Sequence, residues 1–324
     1  LEHLLTNEKE SESTATKKVK GLMQTSIVKY FRKNIHYYIL LFIPIVYFAI
    51  FRYGPIVGNV LAFRKYVYGG SIYGEGWVGL KYFNMFLSDP NFWLAFRNTW
   101  QLSIYHLIIT VPVSILFALL VNEIRSGKLR NVVQTISYFP NFISIVVVVG
   151  MMKELLSPTT GIINKIIGMV GIDPIFFMNE PGWFRMLYIS SEVWQYTGWN
   201  SIIFLAAIAS IDPQLYEAAE VDGAGRLKQI IHVTIPQIMP TIAVMYILSL
   251  GQLMNVAFEK VLLMYTPSNS QVSDVIETFV YRMGLGNSNY SYATAIGLFS
   301  GMLGLVIVII ANYLSKKVTR YSLY

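Results

Sequence analysis

Within stretches that are otherwise apolar, one segment carries Glu192, Trp194, Gln195, Tyr196, Trp199, Asn200 and Ser201, and another carries Gln252, Asn255, Phe258 and Glu259. Amides and carboxylates exchange hydrogen bonds with hydroxyl groups, and aromatic rings stack on C–H faces. The set therefore suits a polyhydroxylated solute such as a sugar. Gln252, Asn255 and Glu259 recur at spacings of three and four, so on a helix they share a face. Trp194, Tyr196 and Trp199 cover more than one face. Polar groups in a bilayer are expensive and turn toward a cavity or a neighbouring helix. The plainer alternative is interfacial anchoring for the tryptophans and interhelical hydrogen bonds for the amides. Lys153, Arg185 and Lys260 stand near the ends of apolar stretches. They either attract a carboxylate-bearing solute or reach out to lipid headgroups. An acidic solute sits poorly with Glu259 unless that residue has a cation beside it. His106 is expected to be a packed histidine rather than a proton relay.

Several chemistries are missing. The chain has no cysteine, which excludes disulfides, thiolate metal sites and cysteine nucleophiles. It has no Gly-x-x-x-x-Gly-Lys-Ser/Thr phosphate loop. Clustered carboxylates, metal-spaced histidines and an activated nucleophile are also absent from the sequence, which sets a membrane-embedded enzyme aside. The residues above are arranged for recognition, with no catalytic group, metal or cofactor expected on this chain.

The elements that must position them are membrane spans. Of 324 residues, 54% are hydrophobic and 13% charged, and the mean hydropathy is +0.50. Soluble domains carry about 25% charged residues. Runs of about 20 apolar residues are long enough to cross a bilayer. Six are expected, near 37–57, 99–121, 136–156, 186–209, 238–258 and 293–314, with kinks at Pro112 and Pro140. The fold class is thus all-α, a polytopic membrane protein. The net charge of +7 resolves into a topology rather than a nucleic-acid site, and no nucleic-acid partner is expected. Fifteen of the 25 Lys and Arg fall in the two termini and the 122–135 and 210–237 loops, against nine in the longer alternate loops. Positive charge accumulates on the cytoplasmic side, so both termini and the 210–237 loop are expected there. Residues 1–34 form a polar tail ending in a basic segment from Lys17 to Lys33. That segment is either an amphipathic helix on the inner leaflet or a plain anchor for the first span. Residues 35–324 form the transmembrane domain. No cleavable signal and no internal repeat are evident.

The 210–237 loop is polar between two apolar spans. Asp212 is a good N-cap and Pro213 suits the first helical position, so a helix to about Asp222 follows. Gly223 stops it, since a left-handed residue is cheap only for glycine. A second short helix starts at Ala224 and is expected to end at Pro236. Ala218, Ala219 and Gly223 are small enough for another surface to approach, with Glu217, Glu220 and Asp222 around them. Taken alone, this is also what a solvated two-helix loop looks like.

Glu217-Ala218-Ala219, then Gly223, then Pro236 resembles the EAA loop of permease subunits of bacterial ATP-binding-cassette importers. The run from Leu215 to Ala224 is similar to the carbohydrate type-1 branch. Asn122-Glu123, the stretch Gln134 to Pro140, and Tyr290 to Ala295 resemble the subgroup typified by LplB, associated with complex and often acidic oligosaccharides, alginate among them. The resemblance covers all but the first 34 or so residues. It implies a cytoplasmic coupling helix seated in a separate ATPase, with Glu217, Ala218, Ala219, Asp222 and Gly223 at the contact. It also implies a second homologous permease subunit, two ATPases that bind the ATP and magnesium, and an extracytoplasmic sugar-binding protein, all at the bacterial inner membrane. In maltose-type relatives the sugar contacts lie on the spans flanking that loop, which implicates Trp194, Tyr196, Trp199, Asn255 and Glu259. Asn200, Gln252, Lys153 and Lys260 complete the expected substrate path. The rival is a self-contained secondary transporter or channel, for which Glu192, Glu259 and His106 are the available ion-binding groups.

Overall fold

A computed structural model describes Tyr30, residues 32–254, Val256 and residues 258–319. The basic segment ahead of Tyr30 and the candidate Asn255 lie outside the described residues. The chain divides into two compact units, residues 1–60 and 61–324. In the first, helix α1 begins at Ile35; the whole helix runs Ile35–Phe63. Its Ile35–Phe48 portion has no buried residue, and Leu40, Phe42 and Ile43 are exposed. A helix apolar on every side requires lipid or another protein's apolar face.

In the second unit a two-stranded antiparallel hairpin, β1 (Arg64–Lys65) and β2 (Glu75–Trp77), leads into α2 (Lys81–Leu87) and the long α3 (Pro90–Asn122). Asp89 caps α3 by accepting from the Asn91 N–H, with Pro90 in the first turn. Next come α4 (Gly127–Phe142), α5 (Ile145–Leu155), α6 (Ile162–Met169), α7 (Pro181–Ala209), α8 (Pro213–Val221) and α9 (Arg226–Gly251). Short helices α10 (Phe258–Met264), α11 (Ser270–Ser273) and α12 (Ile276–Tyr281) precede α13 (Tyr290–Thr319). Helices α1, α3, α9 and α13 are each long and apolar enough to cross a membrane. Counting each of the bent pairs α4–α5 and α7–α8 as one span gives six, the number the apolar runs predict.

Two spans differ from expectation. The third, placed at 136–156, is not one rod: α4 and α5 meet at 97°. Pro140 lies in a 3-10 turn, Phe139–Phe142, and Ser144 caps a fresh helix by accepting from the Val147 N–H. A missing N–H followed by a new cap makes a corner rather than a kink. The fifth span, placed at 238–258, is shifted toward the N-terminus. Pro236 does not end a separate short helix; α9 continues through it. A π turn over Ile230–Thr234 widens the helix just before that proline, where the hydrogen-bond ladder must lose a donor. The same device, a π turn over His106–Thr110, precedes Pro112 in α3. Because α9 stops at Gly251, Gln252 and Glu259 belong to different elements, and the shared helical face expected for them does not form.

Three apolar clusters follow one another along α3. The first gathers Phe86, Phe92, Phe279, Tyr292 and Ile296; the second Leu102, Phe184, Tyr188 and Val261; the third Val111, Ala118, Phe204 and Ile238. Between spans in lipid, close packing and hydrogen bonds replace the hydrophobic drive. Gly198 of α7 illustrates this: a Cβ there would overlap the backbone of Ser137 in α4. One turn away, Gln195 Nε2 donates to the Ile143 carbonyl at 3.0 Å, satisfying an acceptor that the α4–α5 corner exposes.

Candidate functional site

Helices α3 and α7, the C-terminal end of α9 and the residues just after it line an open cavity of about 370 Å³ between the second and third apolar clusters. Its polar wall is Ser103 and His106 from α3, Tyr188, Glu192, Tyr196 and Asn200 from α7, and Ser249 and Gln252 at the end of α9. The α7 contribution is a single stripe at steps of four residues. That stripe separates the sequence candidates. Tyr196 and Asn200 lie on it, and Gln252 faces it from α9. Trp194 stands on another side of α7, in an apolar crevice with Tyr105, Arg185 and Met186. Trp199 packs edge-to-face on Phe142, ring centroids 5.4 Å apart. Lys153 is exposed in the last turn of α5, and Glu259 is exposed at the start of α10.

Lys260 departs furthest from expectation. It neither snorkels outward nor faces an open solute path. Its side chain is 0% exposed, and its Nζ donates to Glu192 Oε1 at 2.6 Å. The other carboxylate oxygen of Glu192, Oε2, lies 3.5 Å from His106 Nδ1. The ammonium is also 5.5 Å from the centre of the Tyr188 ring and 5.8 Å from that of Tyr196. A cation removed from water needs such partners, a counter-charge first and ring faces second. Lys260 reaches Glu192 from α10, behind the stripe, so the short helix following the break in α9 serves to deliver one charge. His106 is therefore a cavity residue in contact with a carboxylate, not a histidine packed in apolar surroundings.

The pairing of Glu192 with Lys260, and the cavity roles of Ser103, Tyr188 and Ser249, were not read from the sequence. One signal was present: extending the Glu192–Tyr196–Asn200 spacing back one turn lands on Tyr188. The partner of Glu192 carried no such signal, because 68 residues separate it from Lys260.

The second candidate region is the elbow between α7 and α9. Helix α8 turns 70° from α7 and has no buried residue. Asp212 caps it by accepting from the Gln214 N–H at 3.0 Å. Gly223 has φ +74, and the Ala224 N–H donates back to the Ala219 carbonyl at 2.9 Å, the closure that a left-handed residue permits. Glu217, Ala218, Asp222 and Gly223 are exposed and Ala219 is half-buried, beside the exposed apolar residues Leu215, Val221 and Leu227. The elbow is tied to the spans at two points. Tyr216 Oη and Thr234 Oγ1 share a hydrogen bond at 2.9 Å, and Arg226 pairs with Glu123 at the end of α3 at 2.8 Å.

Residues 110–320 match the family of binding-protein-dependent transport system inner membrane components. The chain is 42% identical to the polygalacturonan/rhamnogalacturonan transport system permease protein YteP of Bacillus subtilis (strain 168), over 89% of each chain. It is 39% identical to protein LplB of the same organism, over 89% of this chain and 90% of that one. Among solved structures, it is similar to a chain of a bacterial alginate ABC transporter in complex with an alginate pentasaccharide-bound periplasmic protein. That match has TM-score 0.84 and 41% identity, and covers 91% of this chain and 99% of the other.

Proposed function

Because the chain belongs to the family of binding-protein-dependent transport system inner membrane components, we propose a substrate class and a working assembly for it. It is a multi-pass permease subunit of an ABC importer for sugars. The substrate is an acidic oligosaccharide, built of uronate units. Relatives of about 40% identity over nine-tenths of the chain support this choice, since galacturonate-containing polymers and alginate both carry a carboxylate on the sugar ring.

The assembly pairs this chain with a second, homologous permease and with two ATPases that carry the ATP and magnesium. An extracytoplasmic binding protein delivers the sugar. Both termini and the elbow lie in the cytoplasm, as the excess of Lys and Arg on those segments favours. Glu217, Ala218, Ala219, Asp222 and Gly223 form the surface that enters the ATPase.

The observation that carries the coupling is the continuity of α9. From Arg226 beside the elbow to Gly251 beside the cavity it is one helix of 26 residues, about 39 Å at 1.5 Å per residue. Closure of the ATPases on ATP draws the elbow inward, and α9 transmits that displacement as a rod to Ser249 and Gln252. The Arg226–Glu123 pair carries part of it to α3, which bears His106. The energy enters as a difference in ATP affinity between the closed and open arrangements.

Co-purification from the native membrane, followed by reconstitution in vesicles, tests the proposal. The expected outcome is a complex containing an ATPase and a second permease that imports oligouronates only when ATP and the binding protein are supplied. A purified chain that moves solute unaided would instead support the self-contained transporter.

A further inference from the structure

Glu192 is the carboxylate on the cavity wall among the described residues, and both of its oxygens are engaged. Oε1 accepts from Lys260 at 2.6 Å and Oε2 lies 3.5 Å from His106 Nδ1. The three groups differ in access. The side chain of Lys260 is 0% exposed, that of Glu192 6% and that of His106 36%. The cation is thus kept off the cavity wall, and of the two members that line the cavity the imidazole is the more open. The rest of the polar wall, Ser103, Tyr188, Tyr196, Asn200, Ser249 and Gln252, consists of neutral hydroxyl and amide groups.

We propose that Glu192 and Lys260 form a charge-masking pair that sets the selectivity of the cavity for anionic over neutral sugars, with His106 as the group of the set that meets the substrate carboxylate. An unmasked Glu192 would repel a uronate at short range, where like-charge juxtaposition costs several kcal/mol. Lys260 cancels that repulsion without offering its ammonium as a sticky site, because its side chain is buried behind Glu192. Both roles are specificity roles, and neither residue takes part in chemistry. The inference rests on the acidic-substrate reading above.

The test uses the whole reconstituted complex and two probes, trigalacturonate and its fully methyl-esterified form, which share a backbone and differ in charge. Wild type is expected to favour the acid. Lys260→Met exposes the carboxylate and should raise KM for the acid by about tenfold or more, leaving the ester within about twofold. Adding Glu192→Gln to Lys260→Met removes the lone charge and should restore the acid. His106→Gln should raise KM for the acid by about tenfold with the ester unchanged. Should Lys260→Met fail to assemble, as loss of one partner from a buried pair can cause, His106→Glu serves in its place. It puts a bare carboxylate in the cavity beside an intact pair, and the acid should again suffer selectively. Equal effects on acid and ester across these variants, in a wild type that prefers the acid, would overturn the masking role alone. A wild type that does not prefer the acid would overturn the substrate class and the masking role together.

Discussion

At the scale of single residues, what matters on α7 is which side of the helix a group occupies. Tyr188, Glu192, Tyr196 and Asn200 form one stripe on the cavity, whereas Trp194 and Trp199 serve an apolar crevice and a ring contact with Phe142. Aromatic character and the resemblance to maltose-type permeases pointed to Trp194 and Trp199 along with Tyr196; the spacing of four singles out Tyr196 and its neighbours on the stripe. Asn200→Ala should raise KM for the transported sugar about fivefold, the effect of one lost hydrogen bond of about 1 kcal/mol, with assembly intact. Trp199→Ala should leave KM within about twofold and show itself in thermal stability instead. Transport assays with both variants decide the matter, and the reverse ranking would move the sugar path to the Phe142 side of α7.

At the scale of elements, two glycines hold geometry that no other residue reproduces equally well. Gly223 has open space around the position of a Cβ, so its requirement within this chain is backbone sign, not size. A left-handed conformation costs other residues about 1–2 kcal/mol, less for asparagine. Gly223→Val should therefore loosen the elbow and reduce the ATPase retained on purification, and Gly223→Asn should keep most of it. If asparagine proves as damaging as valine, the partner's close approach is what demands glycine there. Gly198 presents the opposite case. A methyl group would meet the Ser137 backbone, which cannot rotate away, so Gly198→Ala should destabilise the protein by about 1–3 kcal/mol. Lowered melting of the detergent-solubilised chain, with α4 prised from α7, is the expected signature. An unchanged melting temperature would mean that these helices slide freely past each other.

At the scale of the whole molecule, the elbow at one end of α9 and the cavity at the other are joined by a continuous helix with a π turn at Ile230–Thr234. A lever must be stiff to couple distant sites. Replacing Ile242 and Leu248 of α9 by glycine, which keeps the register of Ser249 and Gln252, should leave ATP hydrolysis by the assembled complex largely intact while lowering sugar transport, because helix-interior glycine weakens the rod by about 1 kcal/mol per residue. Hydrolysis and transport measured on the same vesicles check this; proportional loss of both would place the coupling route elsewhere.

Much of this protein was legible in its residue order, because the signals concerned are local. Twenty-residue apolar runs mark the crossings, and the Asp212-Pro213 cap and Gly223 mark the elbow. The corner at Ile143, the passage of α9 through Pro236 and the early stop at Gly251 were not legible, since a proline weakens a helix without saying whether neighbours will repair it. The ion pair was hidden for a different reason. Nothing local relates Glu192 to Lys260; only the break after α9, which turns α10 back against α7, brings a buried ammonium within 2.6 Å of its carboxylate. The sequence by itself determined a helical membrane protein with an exposed elbow, because those features follow from solvation and backbone preference. Tertiary structure alone decided which polar groups share a cavity and what charge they present, because those depend on contacts between segments far apart in the chain.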